Sequence, residues 1–233
     1  MGLVRDIVSG LMCGVFPRTC EICGRSLVEG EQYMCLTCNG AMPRTYVHRS
    51  RVNRMEERLS RVCRIGRCAS WFYYDADDVY ARLIRLAKFG DRPGMARRLG
   101  VMFASELKNE GFFDGIDILI PVPTSIARRL RRGYNQAEEI ARGVSDVTGI
   151  GVCATAVKVD RGHESQTRHT GAERSINVRG VFKARDLSRV QGCHVLIIDD
   201  VFTTGSTVEE LIKALGEAPA KVSVLTLGLA RLK

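Results

Sequence analysis

The acidic pair Asp199 and Asp200 follows an apolar run at residues 195–198 and precedes five small residues and a helical apolar repeat. Four apolar residues predict a buried strand, so the acids fall at its carboxyl end and the small residues fall before a helix. The free amides and positive dipole end of a helix N-terminus bind anions, and small or hydroxyl side chains let a phosphate approach them closely. The residues predicted to form this phosphate cradle are Thr203, Thr204, Gly205, Ser206 and Thr207.

Carboxylates beside such a cradle accept hydrogen bonds from vicinal hydroxyls or bind Mg²⁺ through water. A phosphate next to a diol describes a ribose 5-phosphate. The alternative is a capped helix with solvated acids, since Ser206 and Glu209 have the spacing of a capping box. The combined pattern favours the phosphate site, and the turn has no P-loop lysine that would indicate nucleoside triphosphate chemistry of that type.

A second chemical signature is a pair of Cys-x2-Cys motifs separated by 11 residues, formed by Cys20, Cys23, Cys35 and Cys38. Each motif offers two thiolates from one turn, and together they complete a tetrahedral site, for which zinc is the expected ion and iron the alternative. The motif has no open ligand position, which indicates a structural site. Gly24 and Asn39 follow the second cysteine of each pair, and both tolerate the positive φ expected of a turn around a metal.

The elements that would position these residues alternate between strand and helix. Strands are predicted near residues 69–74, 116–122, 152–159, 195–198 and 222–229, and helices near 79–87, 95–107, 135–147 and 208–215. This alternation predicts an α/β fold with a mainly parallel sheet flanked by helices. An amphipathic helix is predicted near residues 3–16, and residues 160–178 show little periodicity.

Composition limits the classes of protein. The 233 residues include 35 Lys and Arg against 26 Asp and Glu, a net charge of +9 with a strong bias to Arg, which suits phosphate-rich partners. An Arg-favouring proteome would give the same balance. No apolar run is long enough to span a membrane, no secretory signal is evident, and clustered cysteines suit metal binding in a reducing cytoplasm.

The acidic segment resembles the 5-phosphoribosyl-1-pyrophosphate (PRPP) signature of type I phosphoribosyltransferases, with Phe202 at a position where an aliphatic residue is usual. Further segments make the chain similar to the competence-associated ComF family. They are Leu-Ala-Lys-Phe-Gly-Asp at 86–91, Ile-Pro-Val-Pro at 120–123, Arg-Gly-Tyr-Asn-Gln-Ala at 132–137 and Glu-Arg-Ser-Ile-Asn-Val-Arg-Gly at 173–180. The resemblance covers essentially the whole chain. It implies a type I phosphoribosyltransferase-like domain at residues 68–233, a zinc-ribbon-like module at 1–45 and an Arg-rich connecting arm at 46–67.

The resemblance also implies roles for individual residues. Asp199, Asp200 and Arg174 become the catalytic set, with Arg174 on a loop at 161–179 that closes over PRPP. Pyrophosphate would face Lys88 and, among the arginines at 128, 129, 131 and 132, Arg128 and Arg129. A solvated basic helix face would look the same in sequence. The implied cofactors are structural Zn²⁺ and Mg²⁺ with PRPP.

The function that follows is phosphoribosyl transfer from PRPP or binding of a related ribose 5-phosphate, linked through the family to DNA uptake in natural transformation. No segment specifies a purine, pyrimidine or amine acceptor. A sensor that binds PRPP or a nucleotide without turnover is one alternative. Another is a factor that binds single-stranded DNA and other competence proteins, although the Arg-rich arm carries only one aromatic residue, Tyr46.

Overall fold

The structure, a computed structural model, describes residues 18–89, 93–160 and 180–231. The α-helices of these ranges are α1 Leu36–Gly40, α2 Arg54–Leu59, α3 Ala81–Phe89, α4 Pro93–Lys108, α5 Ile126–Arg132, α6 Gln136–Thr148 and α7 Ser206–Leu215. The strands are β1 Ile65–Tyr74, β2 Ile118–Pro121, β3 Gly151–Val152, β4 Val157–Val159, β5 Phe182–Ala184, β6 His194–Phe202 and β7 Lys221–Ala230.

Five of these strands form one parallel sheet in the order β1-β7-β6-β2-β3, which confirms the predicted fold class. From β2, the chain continues to β3 at one edge of the sheet. The later strands β6 and β7, together with β1, lie on the opposite side of β2. The strand order therefore reverses between β2 and β6. In open α/β sheets, ligands bind in the crevice at the carboxyl ends of strands at such a switch point.

The sheet is covered on both faces, and its central strand is buried. In β6, Leu196 and Ile198 face one apolar cluster, and Val195 and Ile197 face the other. The first cluster contains side chains of α3, α4 and α6, and the second contains those of α2 and α7. Burial on both faces explains why this strand is a continuous apolar run in the sequence.

Two glycines bring helices α4 and α6 into close contact. A Cβ at Gly100 would lie 2.4 Å from the carbonyl oxygen of Ile140, and a Cβ at Gly143 would lie 2.1 Å from that of Arg97. Any larger residue at either position would force the helices apart. This packing holds α6 tightly against α4.

The four-cysteine module packs into the same core as the main sheet. Met34, Cys35 and Met42 belong to the apolar cluster that contains Trp71 and Phe72 of β1. The segment that leaves the module also bonds along the outer edge of β1, with the Thr45 amide donating to Trp71 O at 3.0 Å and the Tyr73 amide donating to Pro43 O at 2.9 Å. The module therefore covers an otherwise open sheet edge.

Several local expectations need correction or fall outside the described ranges. The single strand expected at residues 152–159 is two short strands, because β3 pairs with β2 whereas β4 pairs antiparallel with β5. Asn39 lies inside α1 and has no positive φ, whereas Gly24 has φ 76° as expected. The helix expected near residues 3–16 and the loop at 161–179 lie outside the described residues. No helix within those ranges combines the length and apolarity that a bilayer span requires.

Candidate functional site at the carboxyl ends of β2 and β6

The predicted phosphate cradle is the turn between β6 and α7. Helix α7 begins at Ser206, and its N-cap is Gly205, with φ 83° and ψ −3°. The expected capping box between Ser206 and Glu209 is wrong, because Ser206 is the first helical residue and Glu209 pairs with Arg58 at 2.7 Å. A glycine N-cap has no side chain to bond the first amides. The Ser206 amide donates weakly to Thr204 Oγ1 at 3.4 Å, and the amides that follow it in the first turn keep their capacity to bind an anion.

Space at Gly205 is limited by the strand that precedes it. A Cβ there would lie 2.6 Å from Cζ of Phe202, whose ring is buried beneath the turn. Glycine is required here by both its left-handed backbone and this close approach. The neighbouring hydroxyls also face one another, with Thr204 Oγ1 and Ser206 Oγ 2.8 Å apart. The turn thus presents amides and hydroxyls with little side-chain bulk.

The acidic pair lies in the last part of β6 and is partly buried. The Asp200 amide donates to Asp199 Oδ1 at 2.9 Å, and Lys88 Nζ at the end of α3 lies 2.7 Å from Asp200 Oδ2. Burial and the neighbouring Asp200 charge raise the pKa of Asp199 to about 8, against the opposing effect of the Asp200 amide and Lys88. A buried carboxyl group beside another negative charge is stabilised by a bound cation or by hydroxyl donors.

The arginines expected on the pyrophosphate side lie on α5, which follows β2 at the switch point. Arg128 and Arg129 are exposed on this short helix, and no described contact joins them to the acids. Arg132, at the end of the helix, is half-buried instead. Burial and the charges of Arg128 and Arg131 lower its pKa, and Asp200 opposes this. Arg132 is therefore a half-buried α5 arginine whose charge interacts with Asp200.

The turn after α5 is fastened on both sides of the crevice. The Tyr134 hydroxyl donates to the carbonyl of Ala87, next to Lys88, at 2.5 Å. The Asn135 side-chain amide donates to the carbonyl of Val122, just beyond β2, at 3.0 Å. These bonds tie α3, which carries Lys88, to the end of β2. Sequence reasoning marked this Gly-Tyr-Asn-Gln segment as a family motif but missed its positioning role, which depends on distant carbonyls.

The four cysteines of the N-terminal module form a compact cluster. Their sulfur atoms all lie within 4.8 Å of one another, and Cys23 Sγ and Cys35 Sγ are 3.9 Å apart. Four sulfurs around a zinc ion at about 2.3 Å would lie about 3.8 Å apart, so the cluster fits a tetrahedral zinc site. The amides of Cys35 and Cys38 point at Cys20 Sγ and Cys35 Sγ, at 3.4 Å and 3.3 Å. Such N–H···S bonds stabilise negative sulfur.

Electrostatics at the cluster favour an ionised sulfur at Cys35 and a protonated one at Cys38. Burial opposes ionisation of Cys35, but the Cys38 amide and the Arg25 guanidinium outweigh it and lower the pKa of the thiol to about 6. Burial and the other cysteines raise the pKa of Cys38. Buried Glu31 orders the loop between the two motifs, because it accepts from the Leu36 amide at 2.8 Å and from Arg25 at 2.7 Å. The loop is therefore built to hold the cysteines together.

Similarity to known proteins agrees with this geometry. Residues 95–230 match the model of a protein family, and the description of that family is phosphoribosyl transferase domain. The chain belongs to this family. The phosphoribosyl transferase domain contains β6, the acidic pair, the turn at 203–207 and α5, whereas Lys88 and the four cysteines precede the matched residues.

Relatives of this phosphoribosyl transferase domain protein carry names from DNA biology. It is 28% identical over 219 residues to DNA utilization protein YhgH of Shigella flexneri, covering 85% of this chain and 91% of the relative. It is 32% identical over 116 residues to competence protein F of Haemophilus influenzae, covering 49% and 50%. These matches confirm the resemblance to the ComF family. Among solved structures, a hypoxanthine phosphoribosyl transferase of Trypanosoma cruzi is similar at 16% identity over 60% of this chain and 66% of that chain, with a TM-score of 0.34.

Proposed function

We propose that this protein binds PRPP with Mg²⁺ at the switch point between β2 and β6 and transfers its phosphoribosyl group to a nucleophile. The observation that carries the proposal is the convergence of three features at one sheet edge. These are the glycine-capped turn before α7, the acidic pair at the end of β6, and Lys88 at 2.7 Å from Asp200. Membership of the phosphoribosyl transferase domain family supports the same assignment.

Each part of PRPP has a proposed partner. The 5-phosphate would lie on the amides and hydroxyls of residues 203–207, where the helix dipole and short side chains favour an anion. Asp199 and Asp200 would accept hydrogen bonds from the ribose hydroxyls. The pyrophosphate would face Lys88, together with Arg132 and the two arginines expected from the sequence, Arg128 and Arg129 of α5. The exposure of Arg128 and Arg129 makes Arg132 the strongest arginine candidate.

The acidic pair also fits a magnesium ion, because carboxylates are hard oxygen ligands and the pKa of Asp199 is raised by burial and by the neighbouring charge of Asp200. When bound, Mg²⁺ would neutralise charge on the leaving pyrophosphate. In the proposed reaction, the acceptor nucleophile forms a bond to C1 of the ribose while the bond from C1 to the pyrophosphate oxygen breaks. The electron pair of that bond leaves with pyrophosphate, which Lys88 and Arg132 stabilise. Arg174, a proposed transition-state cation, lies outside the described residues.

We propose zinc as the ion of the four-cysteine cluster and assign it a structural role. Three of the four cysteines are buried, and the cluster packs against β1 rather than facing the acidic pair. A metal there would tie the module to the sheet edge. Four free thiols at this spacing suit a reducing compartment, which we propose is the cytoplasm.

Pyrophosphate release tests the proposed reaction. Purified protein is incubated with PRPP and Mg²⁺ and a panel of purine, pyrimidine and amine acceptors, and released pyrophosphate is measured. We expect release with at least one acceptor and its loss in Lys88→Met. Tight binding of PRPP with no release from any acceptor would favour the sensor function instead.

The names of the relatives suggest a second, compatible role in DNA uptake or utilisation, and a basic surface favours it. Arg44, just before the arm, and Arg49 and Arg58 within it are held in ion pairs with glutamates, at 2.6 Å, 2.8 Å and 2.7 Å. Arg51, Arg61 and Arg64 are exposed. We propose that these three arginines contact phosphates of single-stranded DNA.

Fluorescence anisotropy with a labelled oligonucleotide over a range of salt concentrations tests this second role. Replacing Arg51, Arg61 and Arg64 by alanine should flatten the logarithmic salt dependence by about 0.7 for each phosphate that the variant no longer neutralises. An unchanged slope and affinity would show that the arm does not contact DNA.

A further inference from the structure

A cleft of about 440 Å³ lies between the cysteine module, the following arm, β1 and α4. Its walls include Arg44, Tyr46, His48, Arg49, Trp71 and Glu106, and Glu110 closes one end. This volume is within the range of sites that take small molecules. The proposed PRPP site lies elsewhere, because α4 begins five residues after Lys88 and Glu106 is about 20 Å further along the helix at 1.5 Å per residue.

The charges of the cleft are already paired. Arg44 makes two bonds to Glu106, at 3.0 Å and 2.6 Å, and Arg49 makes two bonds to Glu110, at 3.0 Å and 2.8 Å. Two bidentate ion pairs leave no net charge to attract a phosphate or a carboxylate. Two further N–H groups of Arg44 donate to the carbonyl and side-chain oxygens of Asn39.

Hydrogen-bond acceptors remain after these bonds are made. Each carboxylate offers about four lone-pair positions. Arg44 and Trp71 Nε1 use three on Glu106, while Arg49 and His48 Nε2 use three on Glu110. Both glutamates are about one-third exposed, so a ligand can reach them.

His48 is another residue of the cleft with hydrogen-bonding capacity that no described residue uses. Its side chain is only 8% exposed, and its Nε2 lies 3.1 Å from Glu110 Oε2, so Nε2 carries the proton. Burial lowers the pKa of His48 by more than Glu110 raises it, so the ring stays neutral. Nδ1 is then a buried acceptor, and within the described part of the chain it has no hydrogen-bond partner. Native proteins rarely leave such an atom unsatisfied.

Three aromatic side chains line the cleft, and of these Tyr46 is exposed whereas Trp71 and Phe103 are each 1% exposed. Tyr46 is 47% exposed and has φ 50°, a left-handed conformation unusual for a tyrosine, with the Arg49 guanidinium 4.3 Å from its ring centroid. Trp71 and Phe103 stack at 5.7 Å with an angle of 18° between their rings. Strained backbone at an exposed aromatic residue is a feature of ligand sites, and such surfaces bind planar rings.

We propose that this cleft binds a nucleobase that carries an exocyclic amino group. A neutral planar ring stacks on Tyr46, and its amino group donates to the spare acceptors of Glu106 and Glu110. The base comes either from a free nucleoside or from single-stranded DNA, and the two sources present the same chemistry. The site is separate from the proposed transferase site and does not depend on it.

Trp71 is the only tryptophan of the chain, so its fluorescence reports directly on the cleft. The full-length protein is titrated with guanosine and with inosine, which differ only in the exocyclic amino group, and calorimetry provides a second readout. We expect guanosine to change the fluorescence and inosine to bind at least about fivefold more weakly, because a well-placed pair of base contacts discriminates by about 1–3 kcal/mol. Equal affinities, or no binding of either nucleoside or of an oligonucleotide, would overturn the proposal.

Variants and a longer ligand complete the test. Tyr46→Ala should weaken guanosine binding at least about fivefold, the effect of removing one stacking ring. Val52→Ala, which changes another exposed arm residue that lies outside the cleft, should not. Equal effects of the two variants would refute the site.

A guanine-containing oligonucleotide that binds more tightly than guanosine identifies DNA as the source, and equal binding identifies the free nucleoside. Asn substitutions of both Asp199 and Asp200 should leave guanosine binding unchanged, which separates this site from the transferase.

Discussion

Replacing Gly205 by alanine should damage both stability and phosphate binding, and the structure allows the two causes of the damage to be separated. The residue has φ 83° and ψ −3°, a left-handed conformation that costs an L-residue about 1–2 kcal/mol. The new Cβ would also lie 2.6 Å from Cζ of buried Phe202. Relieving that overlap requires movement of the ring or of the turn, at a further cost of about 1–3 kcal/mol.

Gly149 provides a matched control at the end of α6. Its φ of 77° and ψ of −1° are almost the same, but a Cβ there would meet no atom within 4 Å. Urea unfolding of the two variants should therefore give a loss of about 1–2 kcal/mol for Gly149→Ala and about 2–5 kcal/mol for Gly205→Ala. Calorimetry should show weaker PRPP binding for Gly205→Ala alone, because only that variant displaces the amides of the turn.

A second substitution tests the steric argument. Adding Phe202→Leu to Gly205→Ala removes the ring that the new Cβ meets, so the two changes should be less destabilising together than the sum of their separate effects. Equal losses of stability for Gly205→Ala and Gly149→Ala, or strictly additive effects of the pair, would refute the packing described for the turn.

Other perturbations have equally definite outcomes. Cys23→Ser should abolish binding of one zinc per chain, measured by elemental analysis. It should also lower the melting temperature of the whole chain, because the other three sulfurs lie in the shared core. Cys193→Ser should have neither effect. Since the pKa of Asp199 is raised to about 8, the folded state keeps a proton that the unfolded state releases near its ordinary pKa. The free energy of unfolding should therefore fall between about pH 4 and pH 8 through this group, and Asp199→Asn should reduce that fall in urea titrations at several pH values. PRPP affinity should rise over the same interval if the ionised pair is the binding form. Lys88→Met should weaken PRPP binding about tenfold or more, the loss of one charge-assisted bond, whereas substitution of the exposed Lys158 of β4 by methionine should not.

Local sequence patterns predicted the elements well, because apolar spacing reflects which faces are buried. They did not predict strand ends, which depend on pairing with distant residues. The apolar run at residues 195–198 marks only the middle of β6, since the strand continues through Asp199, paired with Thr226, to Phe202, paired with Leu229. Residues 152–159 look continuous in sequence, but Cys153 bonds to Leu119 in one sheet and Val157 pairs with Ala184 in the other.

Some features of the candidate site could be predicted from the sequence and others could not. The acidic pair, the small-residue turn and the two cysteine motifs are contiguous or nearly so, and their chemistry is readable from spacing. Which arginine of α5 approaches the acids is not readable, because it depends on how the helix is rotated about its axis, and Arg132 rather than Arg128 or Arg129 is the half-buried one. The cleft near Tyr46 is also invisible in sequence, since three separate segments, at residues 39–49, 71 and 103–110, form it.

Calorimetric titration with PRPP and Mg²⁺ of the wild type and of a variant with asparagine at both acidic positions tests the central assignment most directly. This variant removes the charges of Asp199 and Asp200 and part of their acceptor capacity, with almost no change in side-chain volume. We predict that the variant binds PRPP at least about tenfold more weakly, as expected when hydrogen bonds to charged groups are removed. Equal affinity of the two proteins would show that these carboxylates do not hold the ribose and would contradict the proposed site.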